Sequence, residues 1–174
     1  MPAPLLIVLG GLPATGKSTV AAELVRERGA YAYLRVDTIE QALRNSGEIG
    51  PAGVQKSGYL VGYAVAADLL AAGNDVLVEC VNPIEITRSA WRTVADAQHA
   101  RLLEVELYCS DPETHRERVQ TRVADVPGLE LPDWEAVQSR DYVPWTTAQL
   151  RIDTALVAPA EAAARIRDAA ATLT

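Results

Sequence analysis

Short apolar runs alternate along the chain with longer segments of mixed polarity. The run at 5–9 is wholly apolar, which predicts a strand buried on both faces. Further strands are predicted at 31–36, 75–80, 102–109 and 149–153. The segments between them predict helices at 17–28 (closed by Gly29), 37–44, 54–72, 83–100, 111–123, 134–142 and 159–173. About five alternations of strand and helix predict an α/β fold, in which helices flank a five-stranded parallel sheet.

In a parallel sheet of this kind, ligands bind beyond the carboxyl ends of the strands. The segments that follow the predicted strands are therefore where functional residues are expected. Those segments are 10–19, the position of Asp37, 79–82 and the stretch after Cys109.

Chain length, net charge and the composition of the N-terminus narrow the possible classes of protein. A chain of 174 residues predicts one domain, and its net charge of −7 argues against a nonspecific hold on nucleic acid or acidic membrane. No apolar run approaches the roughly 20 residues of a membrane span, and the N-terminus has no basic leader, so a cytoplasmic location is expected. Cys80 and Cys109 are interpreted as small buried residues, and His99 and His115 as surface residues.

The segment from Gly11 to Ser18, GLPATGKS, matches the phosphate-binding pattern G-x-x-x-x-G-K-[ST] in full. An apolar strand precedes it and a helix follows it, as that loop requires. Its backbone N–H groups and the helix start attract phosphate oxygens, Lys17 reaches the terminal phosphates, and the Ser18 hydroxyl binds Mg²⁺. The chain has only two lysines against fourteen arginines, and one of the two stands here. The predicted nucleotide-binding residues are Gly11, Leu12, Pro13, Ala14, Thr15, Gly16, Lys17, Ser18 and Thr19, with Arg140 from a later segment.

The loop alone does not separate kinases from other P-loop NTPases. GTPases identify guanine with an [NT]-K-x-D run, which neither Lys17 nor Lys56 belongs to. A translocating motor needs a larger core than this length allows. A small kinase using ATP and Mg²⁺ is the class that fits.

Two carboxylates follow predicted strands. Asp37 could act as the base toward an acceptor hydroxyl, or it could cap the next helix as the first residue of a capping box. Glu79 ends an apolar strand of the Walker B type and could hold Mg²⁺ through water, position the acceptor, or be a simple strand-end charge. Asn82, just beyond it, is a candidate for hydrogen bonding to the acceptor.

Arginines dominate the region after the fourth strand. Arg118 and Arg122 are four residues apart and are predicted to share a helix face, and Arg140 follows a loop with two prolines and a glycine. Arginines carried by a lid over about 111–142 could stabilise the transferring phosphoryl group, whereas the alternative is a solvated helix face. Tyr59 could line the acceptor pocket or pack in the core.

Taken together, these motifs resemble the AAA_33 (zeta-toxin-like) group of small P-loop kinases. The chloramphenicol phosphotransferases are similar in length and in motif order. The resemblance covers nearly the whole chain and implies a nucleoside-kinase-like P-loop fold with a small lid. In members of this group the base stands where this chain has Asp37, and many members carry aspartate where this chain has Glu79. Together with the residue patterns above, the predicted catalytic residues are Asp37, Lys17, Arg118 and Arg122, the predicted metal ligands are Ser18 and Glu79, and the predicted acceptor contacts are Asp37, Asn82 and Tyr59. Many members have arginine three residues after the aspartate, where this chain has Glu40.

The resulting prediction is a kinase that moves the γ-phosphoryl group of Mg-ATP to a hydroxyl of a small molecule, such as an antibiotic, a sugar or a nucleoside-like compound. A 5′-hydroxyl polynucleotide kinase and a non-catalytic nucleotide-binding module are the alternatives. The acidic charge and the absence of a basic stripe disfavour the first. A base at Asp37 disfavours the second, because a mere binder does not need one.

Overall fold

A computed structural model describes residues 3–26, 31–47, 49–50 and 52–173. Strands and helices alternate through it, beginning with the buried run that the apolar pattern predicted. In chain order the elements are β1 (Leu5–Gly10), α1 (Lys17–Val25), β2 (Ala32–Arg35), α2 (Val36–Asn45), α3 (Ser57–Ala71), β3 (Val76–Glu79), α4 (Glu85–Ala97), β4 (Arg101–Tyr108), α5 (Pro112–Thr121), α6 (Trp134–Gln138), β5 (Leu150–Asp153) and α7 (Pro159–Thr172).

The five strands form one parallel sheet in the order β2-β3-β1-β4-β5. Leu9 of β1 pairs with Glu79 of β3, and Glu79 pairs with Arg35 of β2, so three strand ends reach the same edge of the sheet. The phosphate loop leaves this edge from the central strand. The predicted five-stranded parallel α/β architecture is therefore confirmed.

Both faces of the sheet are covered, which explains why the central strands are apolar on both sides. On one face, Leu5, Ile7 and Leu9 pack with residues of α1 and α7, including Leu24 and Ile166. The opposite face carries Leu6, Val8, Val76, Val78 and Cys80, which pack against Ala66 and Leu70 of α3 and Trp91 of α4, and against Trp145.

The helix predicted at 134–142 ends early, at Gln138. Beyond it, the Tyr142 hydroxyl and the Trp145 N–H both donate to the buried carboxylate of Glu106, at 2.8 and 3.0 Å. The Val143 N–H donates to the Pro83 carbonyl at 2.9 Å. These bonds hold 142–145 as an irregular connection outside any helix, so tertiary contacts override the local helical pattern.

Other predictions shift by a few residues. The helix predicted over 111–123 ends at Thr121, and Arg122 follows it with an extended backbone (φ −65°, ψ 146°). The predicted helix closure at Gly29 lies outside the described residues. Cys80 is buried as expected, whereas Cys109 is only partly buried. Within the described ranges, no helix has the length and apolar character that crossing a bilayer demands.

Candidate functional site

A cleft of about 610 Å³ opens at the carboxyl ends of the strands. The phosphate loop forms one wall, the end of β2 and the start of α2 form another, and the connection between α5 and α6 forms the third. Its lining includes Lys17, Ser18, Arg35, Asp37, Glu40, Glu79, Arg118, Arg122, Asp125, Arg140 and Thr154. The edge at which ligands were expected therefore carries the cleft.

The phosphate loop has the backbone conformation that its glycines allow. Gly11 has φ 148°, and a Cβ atom there would lie 2.2 Å from the Leu107 carbonyl oxygen. Gly16 has φ 92° and caps α1 with no side-chain hydrogen bond. The first N–H groups of α1 are thus left for an anion, which the positive end of the helix dipole also attracts.

Lys17 is buried, and its ammonium group folds back over the loop. Nζ donates to the carbonyl oxygens of Gly11 and Leu12, both at 2.8 Å. Burial lowers the pKa of Lys17, while the nearby carboxylates of Glu79 and Asp37 oppose that shift. An arriving phosphate could replace these two carbonyls as the partner of the ammonium group.

The two predicted metal ligands are in direct contact. The Ser18 hydroxyl donates to Glu79 Oε1 at 2.5 Å, and Glu79 Oε2 accepts from the Tyr33 hydroxyl and lies 3.2 Å from Arg35 Nε. Hydroxyl and carboxylate oxygens fit Mg²⁺, which is commonly held by one or two protein oxygens together with substrate phosphates. Among the described residues, no cluster of three or more His, Cys, Asp or Glu side chains could hold a metal by itself.

Asp37 lies in the first turn of α2, within the cleft. The helix begins one residue earlier, with Arg35 as its N-cap and no side-chain cap bond, so the capping-box interpretation of Asp37 is wrong. The strand passes directly into the helix with no intervening turn, so the cap position lies two residues before Asp37, at Arg35. Asp37 acts electrostatically on Lys17, Glu40 and Arg122.

Glu40 stands one turn after Asp37 and also lines the cleft. Its side chain is 21% exposed and lies 3.3 Å from Arg44. Burial and the charge of Asp37 raise the pKa of Glu40. A Cβ atom on Gly58 would lie 2.3 Å from Glu40 Cγ, so the start of α3 leaves room for this side chain.

The three predicted arginines line the cleft but are held differently. Arg118 donates to the side chain and the carbonyl of Thr154, at 2.9 and 2.8 Å. Arg122 is partly buried, and its Nε and Nη2 have no hydrogen-bond partner among the described residues. Burial lowers the pKa of Arg122, Asp37 opposes this shift and Arg140 adds to it. The expected shared helix face is wrong, because Arg122 lies beyond the end of α5.

Asn82 and Tyr59 meet each other rather than the cleft, and neither is among its described lining residues. The Asn82 N–H donates to the Tyr59 hydroxyl at 2.9 Å, and Tyr59 packs against one hydrophobic cluster. Asn82 is fully buried, and its side-chain amide has no hydrogen-bond partner in the described part of the chain. Their role toward an acceptor stays a prediction.

Sequence reasoning missed two residues that organise the site. His115 is buried, not on the surface: its Nε2 lies 2.8 Å from the Pro13 carbonyl, and its ring packs edge-on against Trp134 at 5.2 Å. Arg35 contacts Glu79 and also pairs with Asp125 at 2.7 Å. The alternation of Tyr33 and Arg35 at the end of a strand was a signal for the second. The polar helical surroundings of His115 gave no such signal.

The whole chain can be compared with known proteins. Residues 6–140, more than half of the chain, match AAA_33, an AAA domain. The chain belongs to the AAA_33 family. A comparison with curated proteins found no match.

Solved structures resemble this AAA_33 protein along its whole length. An APS kinase of Mycobacterium tuberculosis, in complex with AMPPNP and APS, superposes with a TM-score of 0.75 at 22% identity and covers 99% of this chain and 100% of its own. A tunicamycin resistance protein of Deinococcus radiodurans gives 0.71 at 16%, covering 99% of each chain. A gluconokinase of Sinorhizobium meliloti 1021 gives 0.61 at 20%, covering 98% of each. The fold is that of an α/β P-loop NTPase.

Proposed function

We propose that this protein is an ATP-dependent kinase that transfers the γ-phosphoryl group of Mg-ATP to a hydroxyl of a small molecule. The observation that carries the proposal is the position of Asp37. Its carboxylate lines the same cleft as Lys17 and the phosphate loop, and it caps no helix. A protein that only binds nucleotide has no need of such a carboxylate opposite the phosphate site, whereas transfer to a hydroxyl needs a proton acceptor or an orienting partner there.

The chain's own residues divide the work of transfer. The loop N–H groups and Lys17 bind the phosphates, and Asp37 accepts the proton of the acceptor hydroxyl. The two buried nitrogens of Arg122 that have no partner among the described residues would bind the charge that builds on the transferring group. Ser18 and Glu79 would hold Mg²⁺, which neutralises phosphate charge when it is bound.

The predicted lid at 111–142 supplies a third wall of the cleft. Arg118, Arg122 and Arg140 all come from it. Closure over the nucleotide would exclude water, so that the phosphoryl group passes to the acceptor and is not hydrolysed.

Glu40 indicates which acceptors fit. A carboxylate one turn from Asp37 repels a phosphate or sulfate group on the acceptor and accepts hydrogen bonds from its O–H or N–H groups. The acceptor is therefore a neutral or cationic alcohol, such as a sugar, a nucleoside-like compound or a hydroxylated antibiotic. The similarity to chloramphenicol phosphotransferases in length and motif order is consistent with the last of these.

A panel of alcohols with labelled ATP tests the proposal. Neutral sugars, nucleosides, amino sugars, chloramphenicol, sugar phosphates and a 5′-hydroxyl oligonucleotide are each incubated with the protein, and Lys17→Ala serves as the background. Phosphorylation of a neutral or cationic small alcohol supports the proposal. Transfer to the oligonucleotide alone would replace it with a polynucleotide kinase, and nucleotide binding without transfer to any member would favour a binding module.

A further inference from the structure

Arg35 is the point at which three distant segments of the site meet. Its Nη1 and Nη2 pair with the two carboxylate oxygens of Asp125, at 2.7 and 3.2 Å. Its Nε lies 3.2 Å from Glu79 Oε2, and Nη2 lies 3.4 Å from Ser18 Oγ. One guanidinium therefore contacts β3, the start of α1 and the connection between α5 and α6.

Two of these partners are the predicted magnesium ligands. Tyr33 also donates to Glu79, so both oxygens of the Glu79 carboxylate have partners. Ser18 contacts Oε1, and Tyr33 and Arg35 contact Oε2. Asp125 accepts two hydrogen bonds from Arg35, Glu79 faces its Nε as an ion pair, and a guanidinium does not lose its proton in a protein. A permanent positive charge thus lies against the hydroxyl and the carboxylate that a divalent cation would use.

We propose that Arg35 stands in for the metal in the nucleotide-free protein, and that it releases Ser18 and Glu79 when the magnesium nucleotide binds. This inference rests on the proposed function, because it takes Mg-nucleotide as the ligand of the cleft. A divalent cation and a guanidinium repel each other strongly at a distance of a few ångströms, so both cannot keep the same two oxygens.

The contact with Asp125 links this exchange to the lid. Asp125 lies in the connection between α5 and α6, 90 residues from Arg35, and its side chain is 59% exposed. Because the pair uses both carboxylate oxygens, the guanidinium cannot leave Glu79 and keep both of these bonds unchanged. Metal arrival therefore releases Asp125 from Arg35 and frees the α5–α6 connection to close over the nucleotide, and by linkage the Asp125 contact makes metal binding harder.

The test measures the Mg²⁺ concentration needed to reach half of the full metal-dependent gain in ADP affinity, by calorimetry on the intact protein. Arg35→Gln removes the competing charge and should lower this concentration by about tenfold or more. Asp125→Asn keeps the arginine but removes its exposed anchor, and should lower it about two- to fivefold. In the double variant, Asp125→Asn should add nothing, because its effect acts through Arg35. Arg116→Gln, an exposed α5 residue outside the main cleft, controls for net charge and should leave the requirement unchanged.

An unchanged or raised Mg²⁺ requirement in Arg35→Gln overturns the proposal. Equal effects of Asp125→Asn with and without Arg35 overturn the link to the lid. If Arg35→Gln does not fold, Asp125→Asn alone decides, since an exposed carboxylate is not needed for folding and an unchanged requirement then refutes the exchange. Failure of the wild-type protein to bind ADP at any Mg²⁺ concentration would overturn the proposed function itself, and this inference with it.

Discussion

Replacing Asp37 by asparagine separates a proton acceptor from a structural carboxylate. The change keeps the size of the side chain and removes its charge and basicity. Asp37 forms no cap bond, so its contribution to stability is its charge near the start of α2, which is worth about 0.3–1 kcal/mol. Relief of repulsion with Glu40 offsets part of that loss. The free energy of unfolding should therefore fall by less than about 1 kcal/mol.

The effect on turnover should be far larger than the effect on ATP binding. Of the carboxylates that favour the charged form of Lys17, Glu79 acts more strongly than Asp37 and remains in the variant. ATP affinity should thus stay close to wild type. Phosphoryl transfer should fall about 10²- to 10⁴-fold, which is the usual contribution of a positioned acid–base group. A loose transition state moves this loss toward the lower end, because the hydroxyl proton then leaves late.

The assay pairs turnover on an accepted alcohol with ATP affinity by calorimetry and with thermal melting. Asp68→Asn provides a matched control, since Asp68 is an exposed carboxylate on α3 outside the cleft. Wild-type turnover in Asp37→Asn would refute the base assignment. Loss of ATP binding would instead transfer Asp37 to the metal or phosphate site.

Three further outcomes follow from the contacts of individual side chains. Arg122→Gln should lower kcat more than it raises the KM for ATP, because two of its nitrogens are unpartnered before transfer; wild-type kcat would remove it from the mechanism. His115→Phe should lower Tm and weaken ADP binding, because it leaves the Pro13 carbonyl without its hydrogen-bond donor. His115→Gln should restore part of the lost Tm and part of the lost ADP affinity, and equal behaviour of the two variants would contradict this role. Burial alone would raise the pKa of Glu106, but hydrogen bonds from Trp145, Arg151 and Tyr142 outweigh burial and hold that pKa below its usual range. The Glu106 carboxylate therefore stabilises the fold above about pH 4 and loses that contribution as the pH falls further. The stability gap between wild type and Glu106→Gln, followed by denaturant unfolding from pH 7 to pH 3, should be largest at neutral pH and shrink in acid; a gap independent of pH would contradict it.

The phosphate loop and the sheet were predictable because their signals are local. Eight consecutive residues specify the loop, and its glycines adopt the positive φ angles that the pattern requires. Leu5 to Leu9 are apolar at every position because both faces of β1 are covered. Such features depend on neighbours in sequence or on simple burial, and both can be recognised without coordinates.

Helix ends and candidate roles were less predictable. The pattern at Asp37 fits a capping box, but the strand runs directly into α2 and Arg35 takes the cap position. Tyr142 falls in a segment with a helical pattern, but it lies outside any helix and bonds to Glu106 instead. At Tyr142, a contact outside the local window had more influence than the local preference.

The amino-acid sequence by itself determined the order of strands and helices, the phosphate loop, and the edge of the sheet where chemistry can occur. Only the tertiary structure decided which distant side chains meet there. Arg35 reaches Asp125 across 90 residues, and His115 reaches Pro13 across 102. No periodicity encodes such pairs, because they depend on how the sheet brings α1, β2 and α5 together in space. A local pattern fixes the type of an element and which of its faces is buried, whereas the partners of a charged or polar side chain are set by the packing of elements far apart in the chain.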